Sequence, residues 1–258
     1  METHKIIERE EIIEQGVIIA LSDKVYFSDK DNNSKKKINI SYVISLGSCC
    51  HTATFLKQEK LKLESYPFDW VFSGPKMNYE IMIDKFKNFL DKTQYTQLAE
   101  HRAGHKLYGH RFFNHKNPKD INNDYEYYVR CINRFYNVMN KKEHKLFIIT
   151  NVIDQSVRKV IHTEEKEYTQ LLCNYLKAIT SNFSLIYIDP IKITQEIYDK
   201  LTKYYTINQT GNLYWITLYT LSDSDGLRFS NHNDNVNYKT CIYDLFDFNI
   251  LKNDCINV

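Results

Sequence analysis

The amino-acid sequence predicts an α/β fold: a mostly parallel sheet with helices on both faces, in a Rossmann-like three-layer arrangement. Three observations carry this. The runs at Ile38–Leu46 (INISYVISL), Lys145–Thr150 (KLFIIT) and Ser184–Ile188 (SLIYI) are rich in β-branched residues and read as buried strands. Segments with helical spacing lie between them, long enough to carry the chain from one parallel strand to the next. The 258 residues also suffice for a sizeable core without covalent staples.

In chain order, Glu8 to Glu14 is charged and compatible with a helix, and Val17 to Phe27 with one or two short strands. Ser28 to Lys37 (SDKDNNSKKK) has no apolar periodicity and reads as a linker. Residues 1–37 are therefore expected to be an appendage, and 38–258 a single α/β domain. After the strand ending at Leu46, a helix is expected over 50–63. A proline turn follows at 66–70, then an amphipathic helix over 78–90 with Ile81, Ile83, Phe86, Phe89 and Leu90 inward. The histidine-rich stretch 101–115 reads as loop and strand. Further expected elements are helices over 125–139, 164–180 and 194–204 and a strand over 213–221.

Apolar residues make up 43% and charged residues 26%, both ordinary for a globular protein. A net charge of +2 gives no ground for expecting nucleic acid or an anionic membrane as partner, and Lys35–Lys37 reads as a solvated loop. No stretch approaches the roughly 20 apolar residues of a membrane span, and Met1–Arg9 lacks a signal-peptide core. The six cysteines form no CxxC pair. A cytoplasmic protein with no cofactor is the expectation.

The chemistry-bearing feature is Gly47-Ser48-Cys49-Cys50-His51, where a strand gives way to a helix. Ligands of open α/β sheets bind beyond the carboxyl ends of strands. A cysteine in a first helical turn meets unpaired N–H groups and the positive end of the helix dipole, which favour the nucleophilic thiolate. Gly47 permits the tight turn, nearby amides could stabilise an oxyanion, and Gly47, Ser48 and His51 are expected to line the substrate pocket together with Trp70. Adjacent side chains are expected to diverge, so one of Cys49 and Cys50 would act.

Ser45-Leu46-Gly47-x-x-Cys50, then Ala53, then Ser65-x-Pro67-Phe68-Asp69-Trp70 resembles the DUF1796 family, which carries the label of a papain-like cysteine peptidase. The resemblance is densest over 42–72. It implies Cys50 as nucleophile, with His115 after Phe112-Phe113-Asn114 as its base, His110 as the other candidate histidine and Cys49 as the other candidate cysteine. It assigns no third, orienting residue, for which Asp69 and Asn114 are the candidates, and the Pro67–Trp70 turn reads either as structural or as placing Trp70 in the pocket wall. It also raises a papain-like α+β fold as the alternative, with a peptide or acyl compound as substrate.

Two further patterns compete. Cys49 or Cys50 with two of His101, His105, His110 and His115 could bind zinc, although a histidine-rich loop is the plainer reading and no metal is expected. Asp223-Ser224-Asp225 matches the Asp-x-Asp pattern by which many glycosyltransferases hold a metal and a nucleotide-sugar. Asp-Ser-Asp-Gly is equally ordinary turn composition. A thiol hydrolase is the leading expectation, ahead of such a transferase and of a non-catalytic interaction module.

Overall fold

The structure, a computed structural model, describes residues 37–152 and 158–250, with backbone alone for 158–163, and two short strands nearer the start. Those strands, β1 (Ile13–Glu14) and β2 (Val17–Ile18), pair antiparallel. Ile13 and Glu14 are thus extended, not helical as expected over 8–14. The rest of the expected appendage and linker lies outside the described residues.

The single strand expected over 38–46 is two. β3 (Ile38–Ile40) and β4 (Tyr42–Ser45) are separated by a bend at Ser41 and serve different sheets. Helix α1 (Cys50–Gln58) follows and ends before Lys60, which takes a left-handed conformation with φ 58°. The helix expected over 78–90 is also divided, into α2 (Pro75–Ile83) and α3 (Lys87–Leu90). Lys85 and Phe86 between them have φ 58° and 60°. This uncommon backbone turns Phe86 into the core and leaves Ile83 exposed, contrary to the expected face.

The stretch 95–113 forms a three-stranded antiparallel sheet, β5 (Tyr95–Ala99), β6 (Arg102–His105) and β7 (Gly109–Phe113). Gly104 suits the middle strand, because a Cβ there would lie 2.5 Å from the His110 carbonyl oxygen. Helix α4 (Asn122–Met139), strand β8 (Lys145–Thr150) and helix α5 (Arg158–Ile179) then fall close to expectation. Strand β9 (Phe183–Lys192) runs on through Pro190. It can do so because β8 ends at Thr150, opposite Ile188. Leu185 and Ile193 donate their N–H toward the other neighbour, so the missing N–H of Pro190 falls on the side where β8 has stopped.

Helix α6 (Gln195–Lys200) is shorter than expected, and the residues after it form an edge strand, β10 (Tyr205–Thr210). Next come β11 (Leu213–Thr220), helix α7 (His232–Tyr243) and β12 (Phe246–Phe248), which pairs parallel with β3. The main sheet has the order β10-β11-β9-β8-β4. Its β11–β9, β9–β8 and β8–β4 pairs are parallel and β10–β11 is antiparallel, so the sheet is mixed rather than of one sense.

Alternate residues of the strands feed two hydrophobic clusters, one on each face. Ile44, Phe147, Ile149, Leu185 and Tyr187 pack with α2, α4 and the antiparallel sheet. Val43, Leu146, Ile148, Ile186 and Ile188 pack with Phe55 and Leu56 of α1 and Tyr238 and Ile242 of α7. Each such side chain contributes about 1.5–3 kcal/mol by leaving water. With both faces covered, the carboxyl edge of the strands is where polar side chains collect.

Candidate active site

The turn after β4 is built to hold its shape. Gly47 has φ +90°, and a Cβ at that position would stand 2.6 Å from Ser73 Oγ, so no other residue fits without displacement. Ser48 Oγ donates to the Thr150 carbonyl at 2.7 Å and accepts from the Val152 N–H at 3.3 Å. Thr52 Oγ1 donates to the Gly47 carbonyl at 3.0 Å and meets Thr150 Oγ1 at 2.8 Å, which meets the Tyr238 hydroxyl at 2.6 Å. This buried hydroxyl chain clamps the turn to β8 and α7. Its three members lie 98 and 88 residues apart along the chain and match no motif, so no local pattern announces it.

Cys49 caps α1 in extended conformation, and Cys50 is the first helical residue. No side chain caps the helix start, so the first-turn amides lack intrahelical acceptors. The Gly47 and Ser48 amides, by contrast, are committed to Ser45 Oγ and the Thr150 carbonyl.

Cys50 Sγ lies 3.0 Å from His115 Nε2. His115 sits in the turn after β7, whose Phe112 and Phe113 are buried in the core. Its loop is pinned beyond it by Asn117, whose N–H donates to Asp124 at 2.8 Å and whose side chain donates to the Glu100 carbonyl at 2.9 Å. The Trp70 ring stands edge-on to His115 at 6.1 Å and is partly exposed. The Phe72 N–H donates to the Phe112 carbonyl, tying the Pro67–Trp70 turn to β7.

Asp69 is elsewhere. It is buried, accepts from the Tyr66 N–H at 2.9 Å and pairs with Lys62 at 2.6 Å. Lys62 in turn lies over the Trp70 ring at 4.6 Å. The expected orienting contact from Asp69 to the histidine is replaced by a brace through Lys62 and Trp70. Among the described residues, His115 has no hydrogen-bond partner besides Cys50. Asn114 is not on its ring, and His110, exposed on β7, is not on Cys50.

His51 faces away from this dyad. It is 2% exposed, its Nδ1 is 2.7 Å from Ser224 Oγ, and its ring packs edge-on to Phe229 and Tyr238 at 4.8 and 4.9 Å. Burial pushes its pKa down to about 4. The expected place of His51 in the substrate pocket is replaced by a bracing one against Ser224, Phe229 and Tyr238. The same loop brings Gly226 against Cys49, a Cβ at 226 falling 3.2 Å from Cys49 Sγ.

Both thiols are buried, Cys50 Sγ at His115 and Cys49 Sγ against Gly226. The interaction of each thiol with the other holds Cys49 down to about 7, against burial, and pushes Cys50 well up, with burial and the neighbouring charge adding to the rise. Burial first, and then Arg102, lower the His115 pKa, so the imidazole is neutral and able to accept a proton.

The competing patterns are dispersed. His105 is buried, bonded to the Asn88 carbonyl and stacked on Tyr108 at 4.2 Å, while His101 is exposed beside Glu100. No group of three or more His, Cys, Asp or Glu side chains placed to hold a metal exists among the described residues. Asp225 Oδ1 accepts from the Leu227 and Arg228 N–H groups, and exposed Asp223 pairs with Lys192 at 2.7 Å. The Asp-Ser-Asp-Gly segment is a turn. No helix among the described residues is long and apolar enough to cross a membrane.

The family model of DUF1796, described as "Putative papain-like cysteine peptidase", matches residues 41–189. That span holds both Cys50 and His115. No curated protein and no solved structure matched the chain.

Proposed function

The chain belongs to the DUF1796 family, and on that premise we propose that it is a thiol hydrolase acting on a peptide or other acyl compound. The 3.0 Å approach of Cys50 Sγ to His115 Nε2 at a helix N-terminus is the observation that supports this reading. His115, neutral at rest, takes the Cys50 proton as the sulfur attacks the acyl carbon. The imidazolium so formed stabilises the negative charge beside it. First-turn amides of α1 receive the oxyanion. His115 then returns the proton to the leaving group as the carbon–leaving-group bond breaks. Water, deprotonated by the same ring, attacks the thioester and releases Cys50. Trp70 walls the site next to the ring.

Brief iodoacetamide exposure near pH 7 with mass-spectrometric mapping tests the nucleophile. Cys50 should be labelled at least about tenfold faster than Cys131 and Cys173, because His115 at 3.0 Å can take its proton as the sulfur attacks. Cys50→Ala should lower hydrolysis of a fluorogenic peptide and aryl-thioester panel by about 10³-fold or more. Labelling centred on Cys49, with Cys50 untouched, would overturn the assignment.

A further inference from the structure

His115 is exposed on its turn, and among the described residues its one hydrogen-bond partner is Cys50 Sγ. An imidazole in that position gives up rotamer freedom to stay at a single sulfur, and a neighbour has to offset the loss. We propose that Trp70 is the positioning residue for His115 and that the buried Lys62–Asp69 ion pair acts through it, in the place of a carboxylate or amide bonded to the ring. This rests on the Cys50–His115 dyad of the hydrolase reading and adds what fixes the geometry of that dyad.

The contacts form a closed circuit between the helix that carries the sulfur and the strand that leads to the imidazole. The Leu61 and Lys62 N–H groups donate to the Leu56 carbonyl, tying Lys62 to the end of α1. Asp69 is 1% exposed, and its Oδ2 accepts from the Tyr66 N–H at 2.9 Å, which fixes the carboxylate. Lys62 Nζ meets the same oxygen at 2.6 Å and stands 4.6 Å from the centroid of the Trp70 ring. A cation with little exposure to water is attracted by the ring quadrupole, so the ammonium holds the indole in one orientation. The indole crosses the His115 ring at 82° with centroids 6.1 Å apart, an edge-to-face arrangement of attractive geometry. The Phe72 N–H donates to the Phe112 carbonyl at 3.1 Å and locks the backbone after Trp70 to the strand before His115.

Pairing matters as well as position. The Asp69 carboxylate by itself disfavours the Cys50 thiolate, and the ammonium 2.6 Å from it offsets that charge. The pair therefore fixes Trp70 while adding little net field at the sulfur.

The test uses the full chain and two measurements that need no substrate: the rate of Cys50 alkylation by iodoacetamide near pH 7, and the NMR signal of the His115 ring, identified by its loss in His115→Gln. Trp70→Leu should slow Cys50 alkylation by about tenfold or more, whereas Trp70→Phe, which keeps an aromatic edge, should stay within about threefold of the parent. Lys62→Met alone strands a buried carboxylate and endangers the fold. The pair is therefore removed as Lys62→Met/Asp69→Asn, which leaves net charge unchanged and still offers the Tyr66 N–H an acceptor. That variant should also slow Cys50 by about tenfold, and its His115 signal should move toward the unfolded-chain position although Trp70 is intact. Urea midpoints establish that each variant is folded. Parent-like alkylation in folded Trp70→Leu or in the double variant would overturn the proposal, as would a Trp70→Phe as slow as Trp70→Leu. A chain whose Cys50 depends on Trp70 in this way but hydrolyses nothing keeps the positioning role and loses the hydrolase reading.

Discussion

Two histidines flank the same cysteine pair and have opposite surroundings. His115 lies on an exposed turn with its Nε2 at Cys50 Sγ. His51, directly after Cys50, is sealed between Phe229 and Tyr238 and bonded to Ser224. The side bearing His115 comes from within the family-matched span, and the side bearing Ser224, Gly226 and Phe229 from beyond it. Burial lowers the pKa on both sides, yet one ring keeps a reactive partner and access to solvent while the other has only structural contacts. Adjacency in sequence says little about adjacency in chemistry, because successive residues of a helix start point to different walls.

The largest expected effect separates the two histidines. His115→Ala should slow Cys50 alkylation and any acyl hydrolysis by about 10²–10⁴-fold, with stability within about 0.5 kcal/mol of the parent. His51→Ala should do the reverse, costing about 2–4 kcal/mol through the lost ring between Phe229 and Tyr238. Urea midpoints together with alkylation rates give both numbers. If His115→Ala melts the fold, or His51→Ala slows Cys50 as much, the contrast fails.

A second prediction sharpens the contrast with pH. His51 is neutral in the folded chain down to about pH 4 and protonates near 6.5 when unfolded. The unfolded state therefore binds more protons between these values, so stability is full above about pH 6.5 and falls as pH drops toward 4. Its size is about 3 kcal/mol for this one group. Urea titrations at pH 7 and pH 4.5 should show the loss, and His51→Gln should flatten the slope. An unchanged slope in that variant would mean that His51 protonates without cost.

The smallest expected effect concerns the loop on the His51 side. Asp223→Ala breaks an exposed pair with Lys192 and should change stability by less than about 1 kcal/mol. It should also leave Cys50 alkylation unchanged, with or without added magnesium or manganese. A metal-dependent change in the parent that vanishes in this variant would revive the Asp-x-Asp reading.

Elements with strong local periodicity were legible. KLFIIT became β8, and the stripe of Tyr128, Ile132, Phe135 and Met139 became the buried face of α4. Elements defined by partners were not. Strand β10 (YTINQT) carries a mixed polar pattern and is extended because it pairs residue by residue with β11. Strands β5 to β7 contain Gly, Arg, Gln and His in no clean alternation, and their register shifts between Gln97 and Ala99 and between Ala103 and His105. The break at Ser41 was hidden because residues on either side suit a strand equally well; what divides them is the separate partners β12 and β8.

By itself the sequence determined the local element at the centre of the site. A β-branched run, a glycine whose backbone at φ +90° tolerates no Cβ, and helix-forming residues after it place Cys50 at the first helical position, all through interactions a few residues long. Which histidine meets that sulfur was decided by tertiary structure alone. His110 and His115 lie on one short segment, and His115 is 65 residues from Cys50. Its position follows from the bulged register of β6 and β7, the buried Phe112 and Phe113, the Phe72–Phe112 backbone bond and the Asn117–Asp124 anchor. Asp69 shows the same limit, since only the fold brought Lys62 to it in place of a histidine. Local patterns specify backbone through short-range sterics and hydrogen bonds, whereas a sulfur–nitrogen distance across the core depends on every packed layer between the two.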